Sequence, residues 1–302
     1  MSKMNIEQVV IARKWSGLEW RAQQSRRSVE EVLLGEKKLG VDTDIIEGHY
    51  RQEVFLEHFF TKLPELTNAS LLVGDKLDRK LLRRAELVII MGGDNYFQHV
   101  SHTLSDQLVV GINNDLSKSN GGFARFDMDS LAINLPNILC GDYNIEEWTR
   151  LQTAINGRVL PKLAISEVLI AASRRSAMTR YQLDIGDEHG MQKNSGLLIV
   201  TGYGSASYGF YNNANQDFYQ DEDYFPPYVN LAAFYVTELE RRAQFSLKTG
   251  DLDLGEKLRL KWLGHSMATV EPDAGSRPFW LIKRGDVIEV GISDKPLKVV
   301  VP

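Results

Sequence analysis

Leu87-Val88-Ile89-Ile90-Met91 runs five apolar residues without a break into Gly92-Gly93-Asp94. A strand that is apolar at every position has no side to turn to water, so both of its faces must be covered. That is the situation of an inner strand in a parallel sheet flanked by helices. The surrounding pattern agrees. Residues 9–12 form a short β-branched run, residues 70–74 a strand closed by glycine, and Leu108-Val109-Val110-Gly111-Ile112 a further apolar strand ending at Asn113. Between them lie stretches with helical spacing: 18–39, with Trp20, Val29, Val32 and Leu33; 54–63, with Phe55, Phe59 and Leu63; the charged 77–86; and 96–104. Strands alternating with helices predict an α/β domain with a doubly wound parallel sheet over residues 1–144. On such sheets ligands sit at the carboxyl ends of the strands, where Gly92-Gly93-Asp94 and Asn113 fall.

After Asn144 the pattern changes to dense β-type segments at 163–170, 181–185, 196–201, 258–263, 279–282, 287–292 and 297–301. These predict a mainly β domain over residues 145–302, with its C-terminal segment packing back on the first domain. A helix is predicted over 229–245, behind the start signal Phe225-Pro226-Pro227. Two domains agree with a length of 302 residues at roughly 100 to 200 residues per domain. The cleft between them is the predicted ligand site.

Charge narrows the partners. With 35 basic and 40 acidic residues the net charge is −5, so no general cationic field draws in nucleic acid or an anionic membrane surface. No apolar run reaches the roughly 20 residues of a membrane span. Small molecules are therefore the expected partners, with neither nucleic acid nor membrane. The single cysteine, Cys140, allows no intrachain disulfide and reads as a buried small apolar residue. With no secretory leader in the N-terminal sequence, a cytoplasmic protein is expected.

Three segments can carry chemistry. Gly92 and Gly93 let a phosphate or ribose approach the backbone, and the helix behind them points amides at an anion; the same pair also makes a plain turn. Thr201-Gly202-Tyr203-Gly204-Ser205-Ala206-Ser207-Tyr208 follows a strand. Its glycines and hydroxyls offer donors to phosphates and sugars, an ordinary β-turn being the other reading. Ser166-Glu167 sets a carboxylate inside an apolar strand, where it must be satisfied by the fold or by a ligand hydroxyl.

In their order and spacing these segments resemble the NAD kinase family. That family carries Gly-Gly-Asp-Gly-Thr after a buried strand, then Gly-Ile-Asn, then Asn-Glu, then a loop reading Thr-Pro-Thr-Gly-Ser-Thr-Ala-Tyr. Here the corresponding stretches are Gly92-Gly93-Asp94-Asn95-Tyr96, Gly111-Ile112-Asn113, Ser166-Glu167 and Thr201 to Tyr208. The mitochondrial-type branch is the nearest in character. It shares Ala12-Arg13-Lys14, Asn114-Asp115 with Ser119 to Gly121, and Lys193-Asn194-Ser195-Gly196-Leu197.

The resemblance implies an α/β domain followed by a mainly β domain. It implies transfer of the γ-phosphoryl group of ATP, accompanied by Mg²⁺, to the 2′-hydroxyl of the adenosine ribose of NAD. By the same resemblance Asp94 is the catalytic base, since an alcohol attacks phosphorus well only as a carboxylate takes its proton. Ser166 and Glu167 would contact the nicotinamide-side ribose, and Lys193 and Ser195 would grip the substrate. Thr201, Gly202, Tyr203, Gly204, Ser205, Ser207 and Tyr208 would line the adenosine pocket, with Gly92, Gly93, Asn95 and Asn113 also at the nucleotide. A homodimer follows from the resemblance alone. Asn95, Tyr96 and Ser166 stand where the family has Gly, Thr and Asn, and two other readings stay open. One is a catalytically impaired dinucleotide-binding relative; the other is a lipid kinase sharing the Gly-Gly-Asp signature. His99 and His102 read as helix-face residues rather than metal ligands, and Asp217, Asp221, Glu222 and Asp223 as a solvated acidic loop.

Overall fold

The computed structural model describes residues 5–39, 43–114, 121–174, 176–205, 225–241, 243, 245–274 and 278–302. They divide into two units, residues 1–146 with 298–302, and residues 147–297.

The first unit starts with β1 (Val9–Arg13), α1 (Gly17–Ser25), α2 (Val29–Leu39) and α3 (Thr43–Lys62). It continues through β2 (Ser70–Val73), α4 (Arg79–Arg84), β3 (Leu87–Met91), α5 (Asp94–Ser101), β4 (Leu108–Ile112), α6 (Met128–Leu139) and β5 (Asn144–Trp148). All five residues of β3 are fully buried, as an unbroken apolar run requires. It lies in parallel register between β1 and β4, with Leu87 opposite Val9 and Leu108. The stretch 18–39, read as one helix, is two. Arg26 adopts a left-handed backbone with φ 54° and its amide closes the first helix. Each helix starts from a serine capping box, Ser16 with Glu19 and Ser28 with Glu31, and such boxes satisfy amides that a helix start otherwise leaves unpaired. Cys140 is exposed at the end of α6 rather than buried, because the apolar face of that helix is supplied by Leu131, Leu135 and Ile138.

The second unit is built from two antiparallel sheets. Its elements in chain order are β6 (Leu151–Ile155), β7 (Arg158–Val159), β8 (Glu167–Ala172), β9 (Thr179–Ile185), β10 (Glu188–Asn194), β11 (Gly196–Val200) and the single turn α7 (Gly202–Ser205). They are followed by β12 (Leu231–Thr237), β13 (Thr249–Asp253), β14 (Lys257–Trp262), β15 (Ala268–Pro272), β16 (Trp280–Ile282) and β17 (Val287–Ile292). One sheet has the order β10-β9-β14-β17-β6-β7 and the other β13-β12-β11-β8-β15-β16. Both contribute to one core, which includes Leu183, Trp262 and Ile288 from the first sheet and Ile170, Ile199 and Phe234 from the second.

The helix predicted over 229–245 does not form among the described residues. β12 occupies its first half, an inner strand between β11 and β13. Ala232, Phe234 and Val236 enter the common core while Ala233 and Tyr235 pack on the other face. An apolar run buried on both faces has no polar alternation to mark it as a strand, and short apolar runs of this kind read equally as helix. The last strand, β18 (Leu297–Val301), leaves the second unit. It runs parallel to β4 and completes the first sheet in the order β2-β1-β3-β4-β18-β5.

Candidate functional site

In the first unit the chain leaves β3 through Gly92 and Gly93 and enters α5 at Asp94, with Gly93 as the helix cap. Asp94 is half-buried, and its Oδ1 accepts the Phe123 amide at 3.1 Å. Asn95 is exposed, one residue further along the helix. Tyr96 turns the opposite way. It is buried, and its hydroxyl lies 3.0 Å from both the Arg13 and the Gly74 carbonyl oxygens, tying the ends of β1 and β2 to α5. Burial, and then the charge of Asp75, hold the Tyr96 hydroxyl far above its ordinary value, so it remains a donor. Its bulk therefore serves the core of the first unit.

A cavity of about 560 Å³ opens beside this corner, lined in part by Lys14, Trp15, Trp20, Asp75, Gly93 and Asn113. The structure thus brings Gly93 and Asn113 together with residues from the β1–α1 connection, as strand order alone requires: β1, β3 and β4 are adjacent and parallel. Arg13, at the end of β1, is not offered to the cavity as a free cation. Its guanidinium grips Glu19 at 2.7 and 3.0 Å. Burial would raise the Glu19 carboxyl, but that hydrogen-bonded cation and the Ser16 amide outweigh it and hold the carboxyl below the ordinary range.

In the second unit Ser166, Glu167, Thr201, Gly202, Gly204 and Ser205 come together where β8 begins and β11 ends. The Thr201 amide donates to the Ser166 carbonyl at 2.8 Å, and its hydroxyl reaches the Ile165 carbonyl at 2.6 Å. The stretch read as an exposed Gly-rich loop is, over Gly202–Ser205, a buried helical turn. It packs so closely that a β-carbon on Gly204 would stand 2.1 Å from the Ser166 carbonyl oxygen. Tyr203 stacks at a tilt on Trp148, ring centres 4.3 Å apart. Ser207 and Tyr208, and the acidic cluster from Asp217 to Asp223, lie outside the described residues.

Three charges share the interior at this corner. Glu167 is buried and its Oε1 accepts the Ala274 amide at 3.0 Å. Asp273 is wholly buried and accepts the amides of Ile165, Ser166 and Glu167. Lys162, also buried, donates to the Pro272 carbonyl at 2.5 Å. Burial first, then the negative charge of Asp273, push the Glu167 carboxyl up to about 7. Burial pulls the Lys162 ammonium down to about 8, against the opposing pull of Asp273, Glu167 and Glu271. Glu167 Oε2 and Ser166 Oγ are buried and neither has a partner at full hydrogen-bonding distance, although the Ser166 side chain is near enough to favour the ionised Glu167 carboxyl. Such atoms are costly unless a further group completes them.

Asp273 and Lys162 were not legible as site residues. Asp273 is 106 positions from Glu167, and the only local signal for Lys162 is a lone cation in the apolar stretch Val159-Leu160-Pro161-Lys162-Leu163-Ala164. Lys193 and Ser195 are engaged elsewhere: Lys193 pairs with Glu240 at 3.3 Å, and Ser195 donates to Glu238. The His99 ring meets the Asp75 carbonyl at 2.9 Å. Among the described residues no group of three or more His, Cys, Asp or Glu side chains is placed to hold a metal ion, and no helix is long and apolar enough to cross a membrane.

No family model matches the chain. Among curated proteins it is 32% identical over 133 residues to an NAD kinase of Buchnera aphidicola subsp. Baizongia pistaciae, covering 42% of this chain and 44% of that protein. It is 27% identical over 132 residues to an NAD kinase of Nitrosomonas eutropha, again over 42% of this chain and 44% of the relative. The match thus spans less than half the length of these relatives. Among solved structures it is similar to an NAD kinase from Archaeoglobus fulgidus in complex with ATP, with a TM-score of 0.64 over 97% of this chain and 93% of that one. It is also similar to yeast NADH kinase complexed with NADH, with a TM-score of 0.69 over 99% and 84%. Both are 14% identical in sequence, a likeness of fold.

Proposed function

We propose that this chain is a member of the NAD kinase family and that it transfers the γ-phosphoryl group of ATP to the 2′-hydroxyl of the adenosine ribose of NAD, giving NADP; the partial likeness to curated NAD kinases and the shared fold support that reading. The observation that carries this reading is Asp94. The sequence keeps an acid directly behind Gly92-Gly93, and the fold sets it in the first turn of α5 at the carboxyl edge of a parallel sheet, where ligands of such sheets bind. Phe123 orients one carboxylate oxygen, and the other is the acceptor for the hydroxyl proton as the new bond to phosphorus forms. Displacement at phosphorus needs little covalent help from protein, so positioning and charge carry the rest. Mg²⁺ is expected to arrive on the triphosphate of the donor, held mainly by its oxygens.

The roles of the remaining residues rest on the same reading. Ser166 and Glu167 offer the two unfilled buried oxygens to ribose hydroxyls, and the Thr201–Ser205 turn shapes the wall beside them. Lys193 and Ser195 act from their own corner. The cavity beside Gly93 is the part of this unit we assign to the donor. Of the departures that favour a non-catalytic relative, Asn95 is exposed and Tyr96 points into the core.

Purified protein incubated with NAD, ATP and Mg²⁺ should form NADP, read by a coupled dehydrogenase. Asp94→Asn should lower kcat on the order of 10²–10⁴-fold, the usual worth of a positioned base. NAD binding by calorimetry without NADP from ATP or polyphosphate, unaltered in the variant, would leave a dinucleotide-binding protein. Phosphorylation of diacylglycerol in place of NAD would point to a lipid kinase.

A further inference from the structure

One buried acid has no part in that reaction. Asp273 stands just past the end of β15 with no exposed surface and a left-handed backbone, φ 51°, a conformation that costs a non-glycine residue energy and persists only where its surroundings enforce it. Its Oδ1 accepts the Ser166 amide at 2.8 Å and the Glu167 amide at 3.2 Å, and its Oδ2 accepts the Ile165 amide at 3.1 Å. In return the Asp273 amide donates to the Glu167 carbonyl at 2.7 Å, and the next amide, Ala274, donates to Glu167 Oε1. Two short segments are thus laced together by five bonds at one point. Only a carboxylate can do this, since it presents acceptors on both oxygens, whereas an asparagine would turn an NH₂ group on one of the three amides.

We propose that Asp273 is a positioning residue of the dinucleotide site: by gathering three amides on one carboxylate it fixes the turn that carries Ser166 and Glu167, and so sets where Ser166 Oγ and Glu167 Oε2 meet a ribose diol. The inference rests on the proposed dinucleotide binding. Lys162 completes the device. Held by the Pro272 carbonyl, it supplies the positive charge without which two carboxylates in one dry interior would both be costly. The titratable groups around Glu167 among the described residues are Asp273 and Lys162, with Glu271 acting on Lys162. A diol that donates to Glu167 favours its ionised form, so dinucleotide binding should tighten as pH rises through neutrality.

The test compares wild type, Asp273→Asn and Lys162→Met by NAD calorimetry from pH 5.5 to 8.5 and by steady-state kinetics. Asp273→Asn should raise KM for NAD about tenfold or more, as expected for one misplaced hydrogen-bonding pair, with KM for ATP within about twofold. It should also move the pH midpoint of NAD binding downward, because the charge that opposes ionisation of Glu167 is gone. Lys162→Met, which leaves the Asp273 carboxylate and the three amides that donate to it in place, should move that midpoint upward, and it carries the test if Asp273→Asn fails to fold. Equal changes in both KM values, or a pH midpoint unmoved in the folded variants, would make Asp273 merely structural and overturn the inference. A wild-type chain that binds no dinucleotide overturns the functional reading along with it; one that binds NAD and is indifferent to both substitutions overturns this inference alone.

Discussion

The two corners that hold the motif residues are built from opposite materials. At the end of β3, the first unit fixes Asp94 with neutral bonds: a glycine-capped helix start, the Phe123 amide, and a tyrosine hydroxyl laid across two backbone carbonyls. At the start of β8, the second unit concentrates Lys162, Glu167 and Asp273 in its interior. The first arrangement keeps its acid half-exposed. The second surrounds its acid with protein and another negative charge, so that the proton leaves only near neutrality. One corner is organised by shape, the other by charge in a medium that screens it poorly.

Substitutions can break this contrast, and the largest effect is expected where the charged corner is tightest. Gly204→Ala would drive a β-carbon to 2.1 Å from the Ser166 carbonyl oxygen, and we expect a loss of about 3 kcal/mol or more by urea unfolding. Gly92→Ala is the matching experiment in the first unit. Its β-carbon would meet Tyr96 at 3.0 Å and Lys14 at 3.2 Å, both side-chain atoms, and a cost of roughly 1 kcal/mol is expected as they shift. Equal losses at the two sites would show that backbone crowding does not separate the corners.

Next in size is the pH dependence of stability. The folded Glu167 holds its proton up to about 7, above its ordinary value of 4.5. Between those limits the folded state therefore binds more protons than the unfolded one, and stability falls as pH rises through the window. Glu167→Gln removes this slope. Thermal unfolding at pH 5 and pH 7.5 should show wild type losing roughly 1–3 kcal/mol more than the variant over that interval. A parallel pair of curves would mean that Glu167 stays ionised throughout.

In the neutral corner, Tyr96→Phe removes one hydroxyl from two carbonyls and should cost about 1–2 kcal/mol with little pH dependence. The smallest effect is expected from Asn95→Gly, which restores the family residue at an exposed helix position. NADP formation should stay within about threefold, with up to about 1 kcal/mol of stability lost to the flexibility of glycine. A large gain in kcat would instead show that the asparagine obstructs the substrate.

The neutral corner was the more legible in the sequence because its signals are local. A five-residue apolar run, two glycines and an acid are contiguous, and the periodicity of a buried strand followed by a helix can be read from them. What Tyr96 does was not readable, since whether it faces ligand or core depends on carbonyls 22 and 83 residues away. In the second unit the alternating strands such as β14, where Leu258, Leu260 and Trp262 point inward, could be read directly. β12, buried on both faces, reads from its sequence as a helix. Glu167 stands out as a carboxylate in an apolar run, but the residue that holds it comes from the end of the neighbouring strand β15, 106 positions away, and nothing in the sequence around Asp273 says which amides it gathers.

The placement of β18 has a consequence for how the molecule is made. The strand beside β4 is supplied by Leu297–Val301, so during synthesis the early strands of the first sheet emerge long before the neighbour that completes their order. A nascent chain must keep the apolar edge of β4 from pairing with the wrong partner while the whole second unit is translated, and an open, apolar strand edge is the feature that invites such pairing. Birth order and assembly order diverge here, which makes the emergence of β18, rather than that of β1, the event that seals the sheet carrying Asp94.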